Sequence, residues 1–281
     1  MAVQTIISII KTFGISVLCL SIGVISASIP SAGLQDNKTE FAALFGGRYA
    51  RLGQFPWMAV IHQLITKRDI AMCSGSVISE RWILTAGHCI ANNPQRFLVV
   101  LGDVDKRNIV GTRYEGPGVA MITKKSVLHP QYEEFVCDIG LLYMPRDIKF
   151  GGNIQQIALA GSSYLYKSVV GRKALIAGWG QTGSHKSLPK LKWGELQIMS
   201  NEDCSAFWDV DDEHFCTEAM MKTDTCSGDS GSPLMLGTND DPIVIGVVSY
   251  GDRFCPSSAP GVFTRVSSYI GWIRKVTRKR L

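Results

Sequence analysis

From residue 44 to residue 281 the chain is a succession of short apolar runs, at 57–64, 75–78, 82–85, 97–101, 138–143, 173–179, 243–249 and 261–266. Gly, Pro, Asn and Asp separate them. Runs of four to eight residues bounded by turn formers read as strands, and many such strands in series read as a β-sandwich or barrel. One segment departs from this texture. Val266, Tyr269, Ile270, Ile273 and Val276 recur at near-helical spacing beside Trp272, which predicts a closing helix. Its basic end (Arg274, Lys275, Arg278, Lys279, Arg280) reads as a solvated helix terminus favoured by the helix dipole.

Apolar residues make up 46% of the chain and charged residues 19%, which excludes a disordered or collagenous chain. The net charge of +5 is too small for a dedicated nucleic-acid binder. Residues 12–29 are apolar, follow Lys11 and close on Ser26, Ala27 and Ser28, the pattern of a secretory signal. The expected layout is a signal peptide over 1–28, a short linker over 29–43 carrying the Asn37-Lys38-Thr39 sequon, and a folded domain over 44–281. The alternative is an uncleaved anchor, because the apolar stretch extends back to Ile6. Eight cysteines point to an oxidising, extracellular compartment.

Three separated segments carry chemistry. They are Leu84-Thr85-Ala86-Gly87-His88-Cys89, Cys137-Asp138-Ile139-Gly140-Leu141-Leu142, and Asp224-Thr225-Cys226-Ser227-Gly228-Asp229-Ser230-Gly231-Ser232-Pro233-Leu234. Each alone has a structural explanation: a strand-end histidine, a buried carboxylate, a turn. Together, in the order His, Asp, Ser, they specify nucleophilic catalysis. A serine hydroxyl needs a base within hydrogen-bond reach, and histidine titrates near neutrality. A buried carboxylate selects the imidazole tautomer. Glycines beside the serine let main-chain N–H groups face the developing oxyanion, here those of Gly228 and Ser230.

These segments resemble the chymotrypsin-like (trypsin-fold) serine proteases. Further landmarks extend the resemblance over 44–281: Gly53-Gln54-Phe55-Pro56-Trp57, His129-Pro130, Gly178-Trp179-Gly180, Ser249-Tyr250-Gly251 and Pro260-Gly261-Val262-Phe263. The resemblance implies an all-β fold of two six-stranded antiparallel β-barrels with a C-terminal α-helix. It implies a secreted endopeptidase with His88, Asp138 and Ser230 as its triad, His88 and Asp138 coming from the first barrel and Ser230 from the second. Asp224, six positions before the serine, falls where the family sets specificity. A carboxylate there favours Lys or Arg side chains through charge-assisted hydrogen bonds. Thr225 would add a hydroxyl, Gly251 and Gly261 would be pocket walls, and Ser249 would bond Asp138. Tyr250 stands where the family usually has Trp.

The resemblance also implies disulfides Cys73–Cys89, Cys204–Cys216 and Cys226–Cys255. A further family bridge is jointly absent at Ala174 and about Leu236. Cys19 lies inside the expected signal and drops out of the pairing, which leaves Cys137 over, either as a packed free thiol or as a partner bond. The family matures by cleavage, and the new terminus pairs with the acid before the serine. Here that terminus would be Leu44 and the acid Asp229. Ala43 precedes the cut, so the activator would be an elastase-like protease that accepts small residues. Ser232 stands for a usual glycine, with strain or crowding at stake. Gly87 stands for a usual alanine, at an expected cost of local flexibility only. No cofactor or metal is expected, since Asp103 and Glu115 offer too few oxygens for calcium. The expected partners are protein or peptide substrates, the activating protease and protein inhibitors, around a monomer. The other class kept open is a catalytically silent homologue that acts as a binding protein.

Overall fold

The structure, a computed structural model, describes residues 47–65, 70–91, 94, 96–181, 188–219, 223–237, 241–252, 254–255 and 257–278. The expected signal peptide, the linker with its sequon, Leu44, and the basic residues Lys279 and Arg280 lie outside them. Among the described residues no helix is long and apolar enough to cross a membrane.

The first sheet is built from β1 (Met58–Leu64), β2 (Ile70–Ser79), β3 (Trp82–Thr85), β4 (Arg96–Leu101), β5 (Val119–Thr123), β6 (Ser126–Leu128) and β7 (Gly140–Tyr143). Their order is β5-β4-β1-β2-β3-β7-β6, and every pair is antiparallel. Only Lys124 and Lys125 separate β5 from β6, so one bent segment bonds β4 with its first half and β7 with its second. Ile61, Ile83, Leu84, Phe97, Leu101, Leu141 and Leu142 fill the interior, each almost wholly removed from solvent.

The second sheet closes on itself. Its ring comprises β8 (Lys173–Gly178), β9 (Lys192–Met199), β10 (His214–Thr217), β11 (Pro233–Leu236), β12 (Ile243–Tyr250) and β13 (Gly261–Arg265), and two short strands add to it, Arg48–Tyr49 antiparallel to β9 and Ala158–Leu159 parallel to β12. The ring runs β9-β8-β11-β12-β13-β10 and returns to β9. Closure removes the exposed edges that would otherwise pair with other chains. Ile176, Leu196, Ile198, Leu234, Ile245 and Phe263 form its core. Ala174 and Leu236, where the expected family bridge is missing, belong to the same apolar cluster.

The predicted closing helix spans Val266–Thr277. Val266, Tyr269, Ile270 and Ile273 are buried, and they join the cluster that holds the first sheet's core. Burying each such side chain is worth about 1.5–3 kcal/mol. The rings of Tyr269 and Trp272 meet His129 edge-on at centroid distances of 5.1 and 5.0 Å. The helix thus follows the second sheet in sequence, packs against its strand β12, and reaches His129 just beyond β6 of the first. Its last turn carries Arg274 and Lys275, and Arg278 caps it in the left-handed conformation.

Candidate active site

Strand register brings His88 and Asp138 together. In the β3–β7 pair, Thr85 lies opposite Gly140. His88 opens a helical turn (His88–Ala91) three residues after Thr85, and Asp138 lies two residues before Gly140. Asp138 Oδ1 accepts from the His88 main-chain N–H at 2.7 Å, and Oδ2 faces His88 Nδ1 at 2.9 Å. The same Oδ2 accepts from the Ser249 hydroxyl. The Asp138 carbonyl accepts from Thr264 Oγ1 at 2.8 Å. Asp138 is only 3% exposed, whereas the His88 side chain is 35% exposed. Burial pushes the Asp138 carboxyl upward, but the His88 and Ser249 hydrogen bonds and the His88 charge outweigh it and hold it below the usual range. An ionised acceptor at Nδ1 leaves Nε2 facing the cleft as the basic nitrogen.

Ser230 lies in the turn before β11, against the end of β12. The Gly231 N–H donates to Val248 O at 3.0 Å, and the Ser74 N–H donates to Ser230 O at 2.8 Å. That second bond ties the serine turn to β2, which the Cys73–Cys89 disulfide joins to the residue after His88. Among the described residues the Ser230 hydroxyl makes no hydrogen bond to His88, whose Nδ1 faces Asp138. Gly228 holds φ = +97°, a conformation a side chain would strain. A cleft of about 520 Å³ opens on His88, Tyr132, Glu134, Phe135, Asp138 and Ser249. Next to it, Phe135, Trp208 and Tyr250 line a pocket of about 350 Å³ with Asp209 and Asp211.

Asp224 is 6% exposed. Its Oδ2 accepts from the Ser257 N–H at 2.6 Å. Desolvation raises its carboxyl to about 6, against the pull of the Ser257 and Thr225 main-chain N–H groups. Cys226–Cys255 spans this region and Cys204–Cys216 lies in the second barrel. A Cβ at Gly261 would lie 3.1 Å from Thr225 Oγ1 and 3.2 Å from Thr217 Oγ1, and one at Gly251 would lie 3.6 Å from Gly261 Cα, so Gly261 sits close to the Thr225 hydroxyl and Gly251 close to Gly261.

Asp229 is fully buried. It accepts from the Gly180 N–H at 2.8 Å and from the Cys226 N–H at 3.0 Å. A Cβ on Gly178 or Gly180 would strike its carboxylate, which is the physical reason for glycine on both sides of Trp179. Burial raises Asp229 to about 6, opposed by these N–H groups and by the charge of Lys106.

Two departures read differently in space. The expectation that Gly87 affects flexibility alone is corrected: a Cβ there would lie 2.7 Å from the Tyr132 ring and 3.0 Å from Ile139 N, so the glycine makes room for Tyr132. Ser232 has no positive φ, so backbone strain is not at issue; its cost is a fully buried hydroxyl with no hydrogen-bond partner. Cys137 is buried and free, with Sγ 4.0 Å from Glu213 Oε2. Desolvation raises its thiol pKa, which disfavours the reactive thiolate. Asp103 Oδ2 already accepts from Asn108 Nδ2 at 2.8 Å and from the Tyr114 hydroxyl at 2.7 Å. Sequence reasoning missed Tyr132, Thr264 and Lys106, none of which sits in a motif.

Comparison with known proteins agrees with this architecture. The family model described as Trypsin matches residues 44–273. A CLIP domain-containing serine protease B4 of Anopheles gambiae is 33% identical over 82% of this chain and 69% of its own length. The phenoloxidase-activating factor 3 of Holotrichia diomphalia is 32% identical over 88% of this chain and 74% of its own. Among solved structures, HL collagenase superposes with a TM-score of 0.74 at 27% identity, covering 84% of this chain and 99% of that one. The chain belongs to the trypsin family of chymotrypsin-like serine proteases.

Proposed function

We propose that this protein is a secreted serine endopeptidase that cleaves after Lys or Arg and is made as a zymogen. The observation that carries the reading is the buried Asp138 carboxylate that grips both the main chain and Nδ1 of His88. In this reading His88 Nε2 takes the Ser230 proton as Oγ attacks the scissile carbonyl. The N–H groups of Gly228 and Ser230 receive the oxyanion, and His88 returns the proton to the leaving amine. Water then hydrolyses the acyl-enzyme by the same route. Asp224 receives the substrate's cationic side chain, with Thr225, Gly251 and Gly261 around it and Ser249 bordering the groove. Cleavage after Ala43 by a protease accepting small residues frees the amine of Leu44 to pair with Asp229.

The test is the amino-terminal sequence of the secreted protein together with hydrolysis of Arg-, Lys- and Phe-ended peptide substrates. The expected result is a terminus at Leu44 and turnover of the Arg and Lys substrates. A different terminus overturns the activation step. Preferred cleavage after Phe overturns the role of Asp224. No turnover by protein that begins at Leu44 identifies a silent homologue.

A further inference from the structure

Burying a carboxylate as completely as Asp229 is costly without a positive charge close by. Among the described residues the cation that acts on it is Lys106. Lys106 opens a short 3-10 turn (Lys106–Asn108) capped by Asp105. Its main-chain N–H donates to Pro189 O at 2.8 Å, which pins the stem. Its side chain then turns inward. Nζ donates to Trp179 O at 2.8 Å and lies 3.5 Å from Met72 Sδ. Both contacts lead to the serine turn. The residue after Trp179 is Gly180, whose N–H holds Asp229 Oδ1. Met72 Cε lies 3.0 Å from where a Gly228 Cβ would be. Trp179 is itself fixed, its Nε1 donating to Val104 O at 2.9 Å.

We propose that Lys106 is a positioning residue for Ser230, a resident counter-charge that holds Asp229 and the 226–230 turn in working geometry before the Leu44 amine is released. This rests on the proposed catalytic reading. It adds a cation that belongs to this chain's own body and needs no cleavage. Its consequence is basal reactivity of Ser230 in the uncleaved protein.

The charge of Lys106 is labile. Desolvation lowers its pKa to about 8, although Asp229 pulls the other way. Among the described residues His62 also feels it, its pKa lowered by burial and by the Lys106 charge. The Asp105 carboxylate next in sequence is engaged by Arg107. Basal reactivity therefore has an alkaline limb: as pH rises through about 8, Lys106 loses its proton and Asp229 its counter-charge.

The experiment uses full-length chain, shown by mass and amino-terminal sequence to be intact at Ala43–Leu44, and follows labelling by a fluorophosphonate. The reagent forms an O–P bond at Ser230 Oγ as fluoride leaves. Wild type, Lys106→Met and Lys106→Arg are compared across pH, with unfolding midpoints checking the fold. The expected result is slow labelling of wild type and a drop of about tenfold in Lys106→Met, the scale of one charge-assisted bond. Lys106→Arg, which does not titrate in this range, should restore labelling and abolish the limb near pH 8. Should Lys106→Met fail to fold, the limb in wild type and its loss in Lys106→Arg decide the matter. Equal labelling of wild type and folded Lys106→Met, no labelling of intact wild type, or a limb unchanged in Lys106→Arg overturns the inference. Protein cleaved at Ala43–Leu44 separates the two readings. If it hydrolyses Arg substrates while the variants behave alike, the Lys106 role alone fails. If cleaved wild type is inert, the catalytic reading fails and takes this one with it.

Discussion

At the residue scale the proposed chemistry rests on two buried carboxylates held in opposite ways. Asp138 is kept ionised by donors from His88 and Ser249. In Asp138→Asn, His88 would keep its place but lose the preferred tautomer, and kcat is expected to fall about 10⁴-fold with KM little changed. Steady-state kinetics on an Arg substrate checks this. Asp224 is instead raised to about 6 by desolvation. In its proposed role its carboxylate would attract a substrate cation only when ionised. Lowering the pH below about 6 should therefore raise KM for Arg substrates more than for a Phe-ended ester. A Phe-ended ester has no cation for Asp224 to hold and should lack this rise in KM. Asp224→Asn should cost about 10²–10³-fold in kcat/KM for Arg or Lys substrates and remove the extra pH dependence. An unchanged Arg profile in that variant would refute the assignment.

Elements place these residues, and here sequence and structure part in an instructive way. The strands were readable because their apolar runs end in turn formers, and the closing helix was readable from its period. His88, Asp138 and Ser230 stand out in the sequence because each sits in a short local motif, and the structure brings the first two within 2.9 Å. Contacts across long separations were not. Lys106 looks like one basic residue beside Arg107, yet it donates to a carbonyl 73 positions away. Thr264 reaches 126 positions back to the Asp138 carbonyl. Gly87 read as a mild replacement because its reason, the Tyr132 ring, lies in another loop. Gly87→Ala should overpack the turn between β3 and His88, lower stability by about 1–3 kcal/mol and reduce kcat by displacing His88. Tyr132→Ala in the same chain should recover part of the stability, since Ile139 N still lies 3.0 Å from the new Cβ. Thermal unfolding of the single and double variants measures both effects.

For the whole molecule, stability and catalysis separate in the C-terminal helix. Ile273 is fully buried in the cluster shared with the first sheet. Ile273→Ala should cost about 2–5 kcal/mol and lower Tm, while kcat measured well below Tm stays at the wild-type value. A loss of kcat at full folding would mean that the helix reaches the site.

The grip on Asp138 has one more consequence, for hybrids assembled from related enzymes. The first barrel supplies this carboxylate, but Ser249 on β12 and Thr264 on β13 steady it. The two halves therefore do not meet as interchangeable modules. A second half taken from a relative must bring a hydroxyl to each of these two places as well as its own nucleophile. Otherwise the recombined protein inherits an intact triad in sequence and a loosened one in space.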